Sequence, residues 1–207
     1  GVGLALTEYL VTAYQARVVL LSRSPLADEE DQVQARVANC NKNGGQVFHF
    51  TADILDREKM GTLIEEITQT IGPIKGVFHG AGILKDGLIK DKTLEDFNRV
   101  VSVKRDGALS LCSALQGTKL DFIVFFSSMV SLFGNAGQSG YVSANAFLDS
   151  LGCANPVQAK KSLTIAWSFW KVGMGRGLEK LARRKGYRSM EPERAIAALN
   201  KALCSDY

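Results

Sequence analysis

The sequence predicts an α/β fold, an open doubly wound parallel sheet with helices on both faces. Two observations predict it: helix-type and strand-type hydrophobic periods alternate along the chain, and the strand-type runs are short and rich in β-branched and aromatic residues. A helix between successive strands favours parallel order, and helices then cover both faces of the sheet. The length of 207 residues and the even composition favour one domain over residues 1–207.

The first four elements each have their own signal. Residues 3–14 (GLALTEYLVTAY) have the apolar spacing of an amphipathic helix, and residues 17–21 (RVVLL) form a β-branched strand that ends in a polar turn. Acidic residues at 28–31 open a second helix, because negative charge is favourable at a helix N-terminus. Asn43-Gly44-Gly45 ends this helix, and the next strand covers 46–51.

The same cycle repeats three more times. Gly72-Pro73 is a turn between the third helix and the third strand. The segment 171–191 is the least regular part, since it is basic and interrupted by glycines. The remaining predicted elements are a helix over 56–71, a strand over 75–79, a helix over 93–115, a strand over 121–127, a helix over 138–154, a strand over 162–167 and a helix over 191–204.

The composition narrows the function classes. A net charge of +4 is too mild for a nucleic-acid binder, and the apolar run at 122–126 is far too short to cross a membrane. His49 and His79 are the only histidines and the four cysteines are scattered singly, so we expect no metal site. Isolated cysteines are typical of a reducing cytoplasm. We therefore expect a cytoplasmic protein with no nucleic-acid or membrane partner.

In such a sheet the ligand binds beyond the carboxyl ends of the strands, so the loops after strands are the first candidates. Gly1 and Gly3 lead directly into a helix and read as the tail of a glycine-rich pyrophosphate loop; two glycines in a plain turn are the alternative. The strand that should precede this loop is absent, so we expect a fragment truncated at both ends.

Three further loops contribute candidate cofactor residues. Ser22 and Arg23 follow the first strand, where arginine suits a ribose 2′-phosphate; an exposed loop arginine is the alternative. Asp53 could bind the adenine amino group or cap the following helix. The small residues of 79–82 (HGAG) would let the backbone pass close to a flat cofactor, or would simply form a tight turn.

The strongest constellation follows the fourth strand. Ser128 ends that buried strand, and Tyr141 and Asn145 are four residues apart, on one face of a helix. Lys104 lies in a mostly apolar stretch of the preceding helix. Each residue taken singly is more often structural, Lys104 as a surface lysine and Tyr141 as a core aromatic residue, but their joint occurrence favours a catalytic site.

A dense set of motifs identifies a family. They are 1–6 (GVGLAL), 20–24 (LLSRS), 79–84 (HGAGIL), 126–128 (FSS), 137–141 (GQSGY), 144–149 (ANAFLD), Trp167 and 190–192 (MEP). Through nearly the whole chain the sequence resembles the ketoreductase domain of modular polyketide synthases, a branch of the short-chain dehydrogenase/reductase superfamily. The resemblance implies a Rossmann-like fold. The superfamily usually shows Tyr-x-x-x-Lys, whereas the ketoreductase branch exchanges the Lys and Asn, as here.

The resemblance implies that Lys104, Ser128, Tyr141 and Asn145 form the active site and that the cofactor is NADPH. Hydride attack on a ketone builds negative charge on the oxygen, and Tyr141 would donate its proton there. Lys104 would lower the pKa of Tyr141, Ser128 would hydrogen-bond the oxygen, and Asn145 would hold Lys104.

The resemblance also assigns cofactor contacts and stereochemical residues. The implied cofactor residues are Gly1, Gly3, Ser22, Arg23, Asp53, Ile54, His79, Ala81 and Gly82. The residues implied to control substrate and stereochemistry are Asp86, Phe133 and Gln138. The loop 84–86 (LKD) keeps the final aspartate of the motif that marks D-hydroxy (B-type) products, and position 133 is not the tryptophan of the opposite type.

The implied reaction is NADPH-dependent reduction of a β-ketoacyl thioester on an acyl carrier protein to the β-hydroxyacyl thioester. The basic segment 171–190 would be the lid over the substrate and could dock the carrier, although a solvated helix face explains it equally well. Neighbouring synthase domains, including an upstream structural half, are further expected partners. The alternatives are the reductase domain of a fatty acid or polyunsaturated fatty acid synthase, and a catalytically silent structural domain.

Overall fold

Helices and parallel strands alternate along the chain, as the periodicity predicts. The computed structural model describes residues 1–42 and 44–205. Its elements are α1 (Val2–Tyr14), β1 (Arg17–Ser22), α2 (Asp31–Lys42), β2 (Gln46–Thr51), α3 (Arg57–Thr70), β3 (Gly76–His79), α4 (Leu94–Ala114), β4 (Phe122–Ser128), α5 (Val130–Phe133), α6 (Ser139–Ala154), β5 (Lys161–Trp167), α7 (Glu179–Arg184) and α8 (Pro192–Cys204).

The chain divides into two compact units. The first unit combines Gly1–Asp53 with the described residues from Ser168 onward, and the second is Ile54–Trp167. The five described strands pair in parallel as two sheets, β1-β2 in the first unit and β3-β4-β5 in the second. The predicted α/β class with parallel strands is confirmed, while the prediction of a single domain stays a prediction.

In the first unit, α1 and α2 pack on the two-stranded sheet. Their shared core consists of Leu4, Val11, Val37, Cys40 and Val47. β2 begins beside Gly45, where a Cβ atom would lie 2.0 Å from a methyl carbon of Val11. Only glycine allows the chain to pass so close to α1.

In the second unit, β4 is the central strand and is the most buried. Ile123, Val124 and Phe125 have no exposed surface, as expected for a strand flanked on both sides in a parallel sheet. α4 begins at a capping residue, Thr93, whose hydroxyl accepts the backbone N–H of Asp96 at 3.0 Å. Because the strands are parallel, their carboxyl ends lie at the same edge of the sheet. His79 ends β3 and Ser128 ends β4 at this edge.

The predicted strands and long helices agree with the observed ones to within one residue at each numbered end. The helix expected after residues 28–31 begins at Asp31, preceded by a short 3₁₀ turn over Leu26–Asp28. The short α5 and α7 were not predicted. The prediction for Asn43 falls on a position outside the described residues.

None of the described helices is long and apolar enough to cross a membrane. Among those same residues, no group of three or more histidine, cysteine, aspartate or glutamate side chains could hold a metal ion.

Candidate active site

The four predicted catalytic residues all lie in the second unit, on α4, the end of β4 and the first two turns of α6. The Lys104 Nζ lies 5.8 Å from the centroid of the Tyr141 ring. Asn145 donates from Nδ2 to the Tyr141 carbonyl oxygen at 2.7 Å. Ser128 and Asn145 both influence the pKa of the Tyr141 phenol. The structure therefore brings the four residues together.

Lys104 is an interior lysine. Its side chain is 3% exposed, and Nζ donates to the Phe126 carbonyl oxygen at 2.7 Å. Burial lowers the pKa of Lys104 to about 8, while the Asp149 carboxylate acts in the opposite direction. The ammonium form is therefore retained at neutral pH, and one hydrogen bond fixes its position.

Gly82 forms one wall of the lysine's cavity. A Cβ atom at position 82 would lie 3.0 Å from the Lys104 Cε and 3.6 Å from Nζ. The absence of a side chain in the 79–82 loop thus makes room for the lysine itself. We expected this glycine to face the cofactor, and the structure gives it a contact with Lys104.

Tyr141 is half-buried in the first turn of α6. Burial raises the pKa of Tyr141, and the side chains of Asn145 and Ser128 oppose this rise. We expected Lys104 to lower this pKa, and that role stays a prediction, while burial acts in the opposite direction and outweighs the polar side chains of Asn145 and Ser128. The phenol consequently keeps its proton at neutral pH.

Asn145 is fully buried but does not hold Lys104 as predicted. Its amide is used on its own helix, in the bond to the Tyr141 carbonyl, while Lys104 bonds to Phe126. Its Oδ1 has no hydrogen-bond partner among the described residues. Because buried acceptors are normally satisfied, this atom can receive a bond from water or a ligand.

Ser128 lies where β4 passes into α5. Its Oγ is 3.5 Å from both the Val130 amide nitrogen and the Trp167 carbonyl oxygen, at the edge of hydrogen-bond distance. The hydroxyl is half-buried and only loosely held within the unit. It can therefore turn towards a substrate oxygen at little cost.

The loop after β3 and the loop before α6 meet beside Tyr141. They are joined by Asp86 and Gln138, two of the residues predicted to control stereochemistry. Gln138 donates from Nε2 to the Asp86 carboxylate at 2.9 Å, and Asn135 donates to the Gln138 Oε1 at 2.6 Å. The Gly87 amide also donates to the Gly137 carbonyl at 2.9 Å. Sequence reasoning missed Asn135, which no motif singled out.

Phe133, the third residue of that predicted set, stays outside this network. It ends α5, and 69% of its surface is exposed. An exposed aromatic side chain can meet a substrate but does not position the other residues of the site.

Comparisons with known proteins identify the family. Residues 1–172 match the KR domain family. The chain belongs to the ketoreductase (KR) domains of modular polyketide synthases, in the short-chain dehydrogenase/reductase superfamily. Ketoreductase domains of this kind are oxidoreductases, and their fold implies a nicotinamide cofactor.

The ketoreductase matches short parts of much longer relatives. It is 32% identical to "Polyketide synthase PksL" of Bacillus subtilis over 204 residues, covering 93% of this chain and 4% of that protein. It is 31% identical to "Putative inactive phenolphthiocerol synthesis polyketide synthase type I Pks1" of Mycobacterium tuberculosis over 213 residues, covering 100% of this chain and 13% of that protein. These relatives are large synthases, and the chain spans only a small part of their length.

Solved ketoreductases share its fold. The crystal structure of a ketoreductase domain from the bacillaene assembly line matches with a TM-score of 0.89 and 29% identity, over 99% of this chain and 51% of that one. A structure described as an A-type ketoreductase from a modular polyketide synthase matches with a TM-score of 0.87 and 32% identity, over 98% of this chain and 43% of that one. The Rossmann-like class is thus confirmed.

Two of the ketoreductase's predicted cofactor residues have internal packing roles in the second unit. The side chain of His79 is 2% exposed, lies edge to face with Phe125, and has no hydrogen-bond partner for Nε2 among the described residues. Burial, followed by the Lys104 charge, lowers the pKa of His79 to about 3, so this imidazole is neutral. Ile54 packs against Gly107, where a Cβ atom would lie 2.7 Å from an Ile54 methyl carbon. Ala81 is half-buried in the loop after β3.

The other predicted cofactor residues lie in the first unit. Gly1 caps α1, and a Cβ atom at Gly3 would meet nothing within 4 Å, so open space surrounds that position. Arg23 is exposed, and the structure gives it no ion pair or hydrogen bond among the described residues. Asp53 is not the cap of α3 that we considered, because Asp56 caps that helix by accepting the Lys59 amide at 3.0 Å.

Proposed function

We propose that this ketoreductase reduces a β-ketoacyl thioester, carried on an acyl carrier protein, to the β-hydroxyacyl thioester with NADPH during polyketide chain elongation. The observation that carries the proposal is the pairing of a buried, hydrogen-bonded lysine with a half-buried tyrosine, Lys104 Nζ being 5.8 Å from the Tyr141 ring centroid. A buried ammonium beside a phenol suits proton donation to an oxygen that becomes negative.

The nicotinamide cofactor, when bound, supplies the hydride to the carbonyl carbon. Tyr141 donates its phenolic proton to the carbonyl oxygen, and its raised pKa keeps that proton available at neutral pH. Ser128 donates a hydrogen bond to the same oxygen as charge builds on it. Lys104, charged at neutral pH, stabilises the phenolate that remains until solvent returns a proton.

The residues of the first unit fit a phosphate-bearing cofactor. Arg23 is an exposed guanidinium with no partner among the described residues. Such a group can bind a phosphate through two parallel, bidentate hydrogen bonds. The space around Gly3, at the start of α1, leaves its backbone open to a pyrophosphate. NADPH rather than NADH is the proposed reductant because the residue at position 23 is basic.

We assign the product the D-hydroxy (B-type) configuration. Asp86, which ends the 84–86 loop, is held by Gln138 at 2.9 Å, and Gln138 lies three residues before Tyr141. The loop is thereby fixed beside the proton donor, where it can limit the direction of substrate entry. Phe133 stands where the opposite type carries tryptophan.

The proposed carrier-protein contact is the basic segment around α7. Arg183 and Arg184 end α7 and are exposed, with Lys180 exposed one turn earlier. Positive charge of this density attracts an acidic partner and speeds its association. Reversing Arg183 and Arg184 to glutamate should raise KM for carrier-bound substrate and leave KM for a free thioester unchanged.

Lys75 and Lys119 provide the matched control for that charge reversal. Both are exposed and precede β3 and β4, at the ends of the strands opposite Ser128. Glutamate at these two positions should change neither KM. If KM for carrier-bound substrate is the same in both double variants and the native protein, the docking assignment fails.

A fatty acid or polyunsaturated fatty acid synthase would use the same four residues, and none of them distinguishes the chain length of the substrate. A silent structural domain is the remaining alternative, and one similar synthase carries "putative inactive" in its name. The presence of Lys104, Ser128, Tyr141 and Asn145 together argues for activity. All four cysteines are free, which accords with a reducing cytoplasm.

The proposal is tested by following NADPH oxidation with a simple β-ketoacyl thioester. Tyr141→Phe should abolish turnover while NADP⁺ still binds, because only the proton donor is removed. The matched control is Tyr14→Phe at the exposed end of α1, which should behave as the native protein does. Turnover that survives in Tyr141→Phe, or native protein that binds NADPH without turnover on any β-ketoacyl thioester, would contradict the proposal.

A further inference from the structure

A short hydrogen-bond chain connects β2 to the turn after β1. Ser22 Oγ donates to the Ser24 carbonyl oxygen at 2.6 Å, and the same Oγ lies 2.7 Å from the Nε2 of His49. A serine hydroxyl has one proton to donate, and Ser22 uses its proton in the hydrogen bond to the Ser24 carbonyl oxygen. His49 must therefore donate its Nε2–H to Ser22, which fixes both the tautomer and the direction of the chain.

This chain holds the turn that carries Arg23. The Ala52 amide donates to the Ser22 carbonyl at 2.9 Å, so the backbone before Arg23 is anchored to the residue after β2. The bond from Ser22 Oγ to Ser24 closes the turn on the other side. The turn is thus fixed at both ends, while the guanidinium of Arg23 stays exposed and free of partners among the described residues.

We propose that His49 is a positioning residue that sets the preference for a 2′-phosphorylated cofactor, acting on Arg23 through Ser22 and Ser24. The inference rests on the proposed function, in which Arg23 binds that phosphate. A guanidinium binds phosphate best when its backbone is already fixed, because less conformational entropy is then lost on binding. Without the His49 donor, the Ser22 hydroxyl can rotate and the turn loosens.

The test measures binding of NADP⁺ and NAD⁺ by isothermal titration calorimetry. His49→Leu should raise the Kd for NADP⁺ about two- to tenfold, the range for losing one neutral hydrogen bond, and the Kd for NAD⁺ by less than about twofold. His49→Gln should restore most of the NADP⁺ affinity, since its amide keeps a donor at similar reach. Gln46→Leu, a polar-to-apolar change in the same strand, should alter neither value.

A double-variant comparison checks the route through Ser22. Ser22→Ala should reproduce the loss in His49→Leu, and combining the two should add little, because both remove the same chain. Equal weakening of NADP⁺ and NAD⁺ in His49→Leu would overturn the inference and indicate a general structural role. Unchanged NADP⁺ binding in that variant, with the preference lost in Arg23→Ala, would overturn it as well.

The inference about His49 and the proposed function can be refuted independently of each other. If the native protein binds NADP⁺ and NAD⁺ equally but reduces β-ketoacyl thioesters, the role of His49 is refuted and the reductase stands. If the His49→Leu shift is found but Tyr141→Phe keeps full turnover, the role of His49 stands and the assigned proton donor is wrong.

Discussion

Replacing Lys104 with methionine should stabilise the protein at neutral pH while it destroys activity. Burial lowers the pKa of Lys104 from 10.5 to about 8, so the folded state holds this proton less tightly than the unfolded chain does. Stability is consequently reduced below about pH 8, recovers as the pH rises from about 8 to 10.5, and then levels off. Methionine is unbranched like lysine, is shorter by one heavy atom, and carries no group that titrates.

The expected gain in the free energy of unfolding follows from the size of the pKa shift of Lys104. At about 1.4 kcal/mol for each tenfold change in proton affinity, the charged lysine costs about 3 kcal/mol at pH 7. Loss of the hydrogen bond from Nζ to the Phe126 carbonyl offsets about 1 kcal/mol of the gain. A net stabilisation of about 2 kcal/mol corresponds to a Tm higher by about 4–8 °C.

Urea unfolding of both proteins at two pH values provides the assay. The advantage of Lys104→Met should be about 2 kcal/mol at pH 7 and should fall close to zero near pH 9.5, where the native protein has lost most of the penalty. Lys119→Met, at an exposed lysine, should show no such dependence. A Lys104→Met variant that is no more stable than the native protein at pH 7, or whose advantage is independent of pH, would refute the reasoning.

Three other predictions concern activity. Gly82→Ala should lower kcat about tenfold, because its Cβ would lie 3.0 Å from the Lys104 Cε and displace the ammonium; an unchanged steady-state kcat would show that the cavity can yield. The value of kcat/KM should fall as the pH rises through about 8, because Lys104 loses its charge there. The Tyr141 phenol does not contribute to this fall, because its raised pKa keeps it protonated at that pH. A flat profile up to about pH 9.5 would contradict this. Gln138→Leu should lower the enantiomeric purity of the product, measured by chiral chromatography, because it releases Asp86; undiminished purity would remove Gln138 from stereocontrol.

The fold and the set of residues that form the site could both be predicted from the sequence, because both depend on the spacing of residues along the chain. Tyr141 and Asn145, four residues apart, necessarily share a helix face, and Lys104 was conspicuous within an apolar stretch of α4. The resemblance then supplied the expected roles. These features require no knowledge of which side chains meet in space.

Three of the details that sequence reasoning missed depend on long-range packing. Lys104 bonds to Phe126, 22 residues away, and that contact is why Asn145 is not needed to hold it. The direction of the Tyr141 pKa shift depends on burial, which no local pattern reveals. His49 meets Ser22 across 27 residues, since the register of β1 and β2 brings the two strands side by side.

The central claim is hydride transfer to a β-ketoacyl thioester with Tyr141 as proton donor. The most direct measurement uses NADPH that carries deuterium at the transferable position of C4, with mass spectrometry of the product. The native protein should give β-hydroxyacyl thioester with deuterium on its β-carbon, and Tyr141→Phe should give none. Product without the label, or labelled product formed at the native rate by Tyr141→Phe, would contradict the claim.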